Sequence, residues 1–311
     1  MRIVVFGAGG VGGFFGGKLV QAGHDVTFVA RGKHLDAIQQ RGLQVKSING
    51  DFKVEANAVE SLDGHQSADL VLISVKSLQL EDAAEAIKPV MNRDTSVLPL
   101  LNGANIADRL SEIIPPGQVV AGLCRIVSRI ESPGVIDHFA FKKPEIIFGL
   151  YDGRTNARLK MIKSMFDAAG IDNKLSTNIR LDIWKKFLFI TMVSGMGALT
   201  RSTFGLMRED EHIRSLIYQT ASEIVSIANN MGIGLDNTDI EKSFKAIDGT
   251  LYDTTASMQR DIMAGRPSEL DNFNGYIVQM GKELHLNTPV NSLIYHCLFP
   301  QEKRARELSS Q

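Results

Sequence analysis

Over its first half the chain alternates short apolar runs with stretches of helical period. Arg2-Ile3-Val4-Val5-Phe6 opens it as a buried-strand pattern. A helical stretch ending in Lys18-Leu19-Val20-Gln21-Ala22-Gly23 leads to a second apolar run, Val26-Thr27-Phe28-Val29-Ala30. The same pattern predicts strands at 68–75, 95–101, 118–123 and 145–149, and a helix over 80–90. Strand-then-helix order predicts an α/β fold, a doubly wound parallel sheet covered on both faces. After about residue 176 the strand pattern stops. Residues 178–199 form an apolar helical stretch around Trp184, Phe187, Phe189, Met192 and Val193, and helical period returns over 209–231, 238–247 and 271–285. The reading is an α/β domain over 1–176 and an all-helical domain over 177–311, with residues 303–311 a polar, fraying tail.

Composition narrows the partners. A chain of 311 residues, 44% hydrophobic and 22% charged, has material for two globular cores. A formal net charge of −1 without a basic run gives nucleic acid no electrostatic hold. Cys124 and Cys297 stand far apart and form no CxxC pair, which excludes a disulfide framework, argues against a metal site and fits a reducing cytoplasm. The apolar start is broken by glycines too early for a signal peptide, and no stretch has the length and apolarity of a membrane span.

The first strand runs into Gly7-Ala8-Gly9-Gly10-Val11-Gly12, the G-x-G-x-x-G spacing. After a buried strand and before a helix, this is a seat for a dinucleotide pyrophosphate. Gly7 permits the tight turn, Gly9 admits the phosphates, and Gly12 lets helix and strand approach. The helix N-terminus offers N–H groups and a positive dipole end. The second strand ends on Arg31. An acidic residue at this point would favour NAD, whereas an arginine offers a fork to the 2′-phosphate of NADP(H). Lys76 and Asn102 stand beyond two further strand ends, so three loops converge on the crevice where such sheets bind ligands.

Two clusters in the helical half carry candidate chemistry. Lys185 and Lys186 interrupt an apolar helix and point about 100° apart, so one can face a site while the other reaches solvent. Taken without further context, both read as solvated surface lysines. Later, Ser257-Met258-Gln259-Arg260-Asp261 precedes Gly265-Arg266-Pro267-Ser268-Glu269-Leu270-Asp271-Asn272-Phe273-Asn274-Gly275. Helix capping explains Ser268 and part of Glu269, but not the polar density through Asn274.

Taken in order, these motifs resemble the ketopantoate reductase (2-dehydropantoate 2-reductase) family over nearly the whole chain. The blocks are the glycine turn, Val29-Ala30-Arg31, Ser74-Val75-Lys76, Leu101-Asn102-Gly103, Pro133-Gly134-Val135-Ile136-Asp137-His138, Trp184-Lys185-Lys186-Phe187 and the 257–275 cluster. The resemblance implies a Rossmann-type domain followed by a helical domain like that of 6-phosphogluconate dehydrogenases. It implies NADPH-dependent reduction of a 2-oxo acid, most directly ketopantoate to pantoate in pantothenate biosynthesis. By motif, Gly7, Gly9, Gly10, Val11 and Gly12 hold the cofactor, Arg31 and Lys76 its 2′-phosphate end, and Asn102 the nicotinamide end and the substrate. Lys186 is the general acid, Glu269 the second essential polar residue, and Ser257 the contact to the substrate carboxylate.

One departure bears on the substrate. The family carries asparagines four and eight residues after the catalytic lysine, toward the substrate; here these positions are Ile190 and Ser194. A reductase of the same fold acting on a less polar 2-oxo acid is therefore a second reading, and a non-catalytic NADP(H)-binding sensor a third. The expected partner is a small molecule, with no metal, nucleic acid or membrane. The apolar helical domain is compatible with a homodimer, although no motif marks an interface.

Overall fold

The structure, a computed structural model, describes residues 1–309. It divides into two compact units, Met1–Ile179 and the chain from Arg180 onward.

In the first unit, β1 (Arg2–Phe6), β2 (Asp25–Val29), β5 (Asn57–Val59), β6 (Leu70–Ile73) and β7 (Ser96–Pro99) form a sheet in the order β5-β2-β1-β6-β7, parallel at every pairing. All of β6 and β7, and β1 from Ile3 onward, are buried. A parallel strand covered on both faces needs such an unbroken apolar run.

The runs at 118–123 and 145–149 were expected to continue this sheet, and here the fold differs. Val119 and Val120 pair with its edge, through a bridge to Val97 and a hydrogen bond from Val120 N–H to the Val97 carbonyl. The chain then leaves as β8 (Ala121–Ser132), turns at Pro133-Gly134, and returns antiparallel as β9 (Val135–Gly149). This hairpin belongs to a second, mixed sheet with β3 (Leu43–Ser47), β4 (Phe52–Val54) and β10 (Asp172–Leu175), in the order β10-β9-β3-β4. Apolar runs of this kind suit either sheet. What selects the second is the set of short, half-polar partner strands that the pattern did not reveal.

The helix Gly10–Gln21 lies between the two sheets, and glycines on both sides make this possible. A Cβ on Gly12 would fall 2.1 Å from the Gly7 carbonyl oxygen, and one on Gly16 2.4 Å from the Phe28 ring. On the other side a Cβ on Gly10 would meet the Ser128 backbone at 2.7 Å, and one on Gly13 the Ile136 side chain at 2.6 Å. Phe14, Phe15 and Leu19 from the same helix join the core of Ile3, Val5, Phe28, Ile136 and Phe148.

The second unit is helical throughout its described residues. Its helices are Ile179–Thr200 (whose first residue closes the first unit), Phe204–Glu209, Glu211–Asn230, Asn237–Asp248, Ser257–Met263, Tyr276–Glu283 and Pro289–Ser309. A π-helical turn, Asp271–Gly275, leads into Tyr276–Glu283. The predicted polar tail is a correction. Residues 303–309 continue the last helix, with Glu302 1% and Ala305 5% exposed. Packing of Ile294, Leu298, Glu302 and Ala305 along one face holds it despite Pro300 inside it. The end of that expected tail, 310–311, lies outside the described residues. Among the described residues no helix is long and apolar enough to cross a membrane, and no His/Cys/Asp/Glu group could hold a metal.

Candidate active site

The glycine turn is held from both neighbouring strands. Gly7, at φ +102°, and Ala8 both donate their N–H to the Val29 carbonyl at the end of β2, at 3.1 and 3.2 Å. From the β6 side, Ser74 donates its N–H to the Phe6 carbonyl (2.9 Å) and its hydroxyl to the Gly7 carbonyl (2.7 Å). A Cβ on Gly7 would sit 2.9 Å from the Ser74 carbonyl oxygen, whereas one on Gly9 would meet nothing within 4 Å. The turn is therefore closed on its inner side and open at Gly9. Gly9 caps the helix without a side-chain hydrogen bond, and the first turn, which includes Val11, carries no acidic residue. Its N–H groups and dipole remain available to an anion. His34 adds a brace: its Nδ1 accepts from Gly134 N–H (3.1 Å), which leaves Nε2–H to donate to the Ala8 carbonyl (2.8 Å).

Arg31, Lys76 and Asn102 follow β2, β6 and β7, all at carboxyl ends of the parallel sheet. Arg31 is exposed and extended, two residues beyond the carbonyl that fixes the glycine turn. Lys76 is also exposed and starts a short 3₁₀ turn. Two strand spacings, about 10 Å, separate the strands that carry them, a gap that two long cationic side chains can close on one anion. Asn102 is half-buried beside Gly103, one strand further on, so it stands three strand spacings from Arg31 along the carboxyl edge of the sheet.

In the second unit the structure separates the two lysines. Lys185 Nζ lies 3.1 Å from Asp239 Oδ1, a side chain only 6% exposed. Asp239 also closes a capping box with Asp236 at the start of Asn237–Asp248. Lys185 is thus a partly exposed lysine with an ion-pair partner. Lys185→Ala is expected to destabilise the protein by about 1–2 kcal/mol, because it strands a mostly buried carboxylate. Lys185 is itself 37% exposed, which keeps the cost below that of a fully buried pair. The single tryptophan, Trp184, is buried next to it, so urea unfolding followed by its fluorescence reads the effect. Turnover is expected to be unchanged.

Lys186, half-buried, points from the next position of the same helix. Phe187 stacks edge-on against Phe273 and Tyr276 at 6.2 and 6.0 Å between ring centroids, and Trp184 lies 6.2 Å from Tyr276. Lower down, a Cβ on Gly195 would collide with the Asn274 amide, and one on Gly197 with Gln259. The helix that carries Lys186, Ile190 and Ser194 thus packs along the chain that carries Ser257 and Glu269. Glu269 is 9% and Ser194 2% exposed, Ile190 is half-buried, and Ser257 is exposed at the start of its helix.

The polar density after Glu269 is mostly internal bonding. Asn274 donates to Asn291 Oδ1 (2.9 Å), and Asn291 donates to Glu223 (2.7 Å). Ser268 is fully buried against the Glu302 carboxylate, with Leu270 N–H donating to its hydroxyl. Arg306 bridges Glu302 (2.7 Å) and Asp271 (2.6 Å), and Tyr295 donates to Asp271 (2.9 Å). Burial, then the Asp271 hydrogen bond, pushes the Tyr295 phenol up to about 12. Sequence reasoning missed Glu302 and Arg306. The spacing Ile294, Leu298, Glu302, Ala305 was the available signal, one helical face running on into the supposed tail.

A parallel sheet with a glycine turn open to an anion fits a dinucleotide-binding unit. Comparison with known proteins narrows this. Residues 3–153 match the model of ketopantoate reductase PanE/ApbA, and residues 178–302 that of its C-terminal domain. The uncharacterized oxidoreductase YkpB of Bacillus subtilis is 30% identical over 295 residues, which cover 95% of this chain and 97% of YkpB. The 2-dehydropantoate 2-reductase of Pyrococcus horikoshii is 29% identical, with 95% of each chain covered. Among solved structures, a PanE/ApbA family ketopantoate reductase from Ralstonia eutropha superposes with a TM-score of 0.91 at 28% identity, covering 98% of this chain and 100% of that one. The chain belongs to the ketopantoate reductase PanE/ApbA family and is an NAD(P)-dependent oxidoreductase.

Proposed function

We propose that this protein reduces a 2-oxo acid with NADPH, that the acid is 2-dehydropantoate, and that the product, pantoate, serves pantothenate synthesis in the cytoplasm. The observation that supports it most is the packing of the helix that carries Lys186 against the segment that follows Glu269. A cation and a carboxylate stand on elements packed together through Phe187, Phe273 and Tyr276, in a family whose named members include 2-dehydropantoate 2-reductases.

The first unit fits the cofactor: its glycine turn is open at Gly9 and leads to an uncapped helix start without acidic residues. Gly7, Gly9, Gly10, Val11 and Gly12 would hold the pyrophosphate, Arg31 and Lys76 the 2′-phosphate, and Asn102 the nicotinamide end. When bound, NADPH supplies the hydride. The remaining work falls to the chain's own residues. Lys186 holds the proton that the substrate's carbonyl oxygen takes up, and its charge stabilises the negative charge developing there. Glu269 orients that oxygen's surroundings, and Ser257 binds the substrate carboxylate.

Arg31→Ala is expected to raise the KM for NADPH about ten- to hundredfold, the worth of a charge-assisted hydrogen bond. The KM for NADH should stay unchanged. Equal efficiency of the unmutated protein with both cofactors would remove the 2′-phosphate role. The function itself is tested by NADPH oxidation against a panel of 2-oxo acids that includes 2-dehydropantoate; no turnover of any member would overturn it. Ile190, half-buried where the family carries an amide, supports a second reading in which a less polar 2-oxo acid heads that panel.

A further inference from the structure

Glu269 sits in a segment gripped on both sides by one helix. On its N-terminal side, Ser268 gives its backbone N–H to both oxygens of Glu302, at 3.0 and 3.1 Å, and its hydroxyl to the same carboxylate. Two residues after Glu269, Asp271 is held by Arg306 Nη1 at 2.6 Å and by the Tyr295 hydroxyl at 2.9 Å. The ring closes between Glu302 and Arg306, 2.7 Å apart and one turn separated on the helix. Tyr295, Glu302 and Arg306 all come from Pro289–Ser309, at spacings of seven and four that put them on one face. The Glu269 carbonyl is fixed as well, by Phe273 N–H at 3.0 Å.

The Glu302 side chain is 0% exposed. A carboxylate taken wholly out of water is costly unless its lone pairs are filled. Here they are filled by the Ser268 N–H, the Ser268 hydroxyl and the Arg306 guanidinium. Two apolar residues could hold the helix to this segment at lower electrostatic cost. A charged arrangement does something packing alone does less well: it fixes peptide direction at Ser268 and Asp271, and so the Cα–Cβ direction of Glu269.

We propose that Glu302 and Arg306 are positioning residues for the reduction, acting through Ser268 and Asp271 to aim the Glu269 carboxylate. This rests on the reading above that Glu269 serves the reaction. Reacting groups tolerate little displacement: a 1 Å misplacement can cost about 100-fold in rate. The isosteric Glu302→Gln removes the charge that anchors Arg306 and leaves one oxygen where there were two. Its cost is expected in kcat, with the cofactor seat on the other unit untouched.

The test compares Glu302→Gln, Glu269→Gln and the double variant in the full-length protein, using NADPH oxidation with the best 2-oxo acid and active-site concentrations from NADPH titration. Glu302→Gln should lower kcat about tenfold, with substrate KM and NADPH affinity within about twofold of the parent. The double variant should be no slower than Glu269→Gln, because a residue acting only through Glu269 has nothing left to aim. Parent-level kcat in Glu302→Gln, or losses that multiply in the double variant, would overturn the positioning role and leave a structural brace. If Glu302→Gln does not fold, Ser268→Ala removes only the hydroxyl and should show the same pattern at smaller size; unchanged kcat there overturns the proposal equally. A fully active Glu269→Gln is the separate result that would remove the reading on which this rests.

Discussion

Lys186→Ala is expected to lower kcat by at least ~100-fold, the smaller end of what a positioned general acid contributes, while NADPH still binds. Hydride arriving at a carbonyl carbon leaves negative charge on the oxygen. An ammonium beside that oxygen both stabilises the charge and delivers the proton. Lys186 suits the task because it is half-buried, on a helix fixed by Trp184 and Phe187 against Phe273 and Tyr276. Lys185 is committed to Asp239. The measurement is steady-state kinetics on both alanine variants, with NADPH fluorescence titration to show that the cofactor seat survives. If Lys185→Ala loses turnover and Lys186→Ala keeps it, the register of this helix has been misread.

Much of the first unit's fold was legible because its signals are local. Gly7 through Gly12, the strand before them and Arg31 after the next strand all lie within the first 31 residues, and their geometry follows from two adjacent strands. The second sheet was not legible. Its short members β3 and β10 carry few apolar residues and take their place from pairing with β9, a partner about 90 residues from β3 in the chain. A local pattern cannot state a pairing over that distance. The same reason hid the Glu302 anchor. Ser268 read as a helix cap, since nothing near it in sequence shows that its hydroxyl and N–H are taken by a carboxylate 34 residues on. Polar residues buried against distant partners look like surface to a pattern that weighs only neighbours. In this chain Asp239, Asn291 and Glu302 are three such cases, at 6%, 0% and 1% exposure.

Ile190→Asn is expected to improve kcat/KM for 2-dehydropantoate about tenfold, and to do so mainly through KM. Ile190 lies one turn beyond Lys186, so its side chain covers the same helix face about 6 Å along. A polar substrate group against isoleucine goes without a hydrogen bond, and one good polar contact is worth roughly a factor of ten. If the amide binds ground state and transition state alike, restoring it changes KM and leaves kcat alone. Ser194 is a different case, although the family carries the same amide there. It is 2% exposed, and the next residue, Gly195, already has the Asn274 amide where a Cβ would go. Enlarging Ser194 to asparagine overpacks a closed site, at a cost of about 1–3 kcal/mol. The Ile190→Asn, Ser194→Asn double variant is therefore expected to gain little over Ile190→Asn and to unfold at lower urea. Kinetics on the parent and both variants, with 2-dehydropantoate beside a 2-oxo acid bearing an apolar group, separate the two substrate readings. A parent KM for 2-dehydropantoate in the low micromolar range, unimproved by Ile190→Asn, would mean that the pocket supplies the missing contact from another residue. A parent that prefers the apolar substrate, and loses that preference on Ile190→Asn, would mean that this helix face has been refitted for a less polar acid.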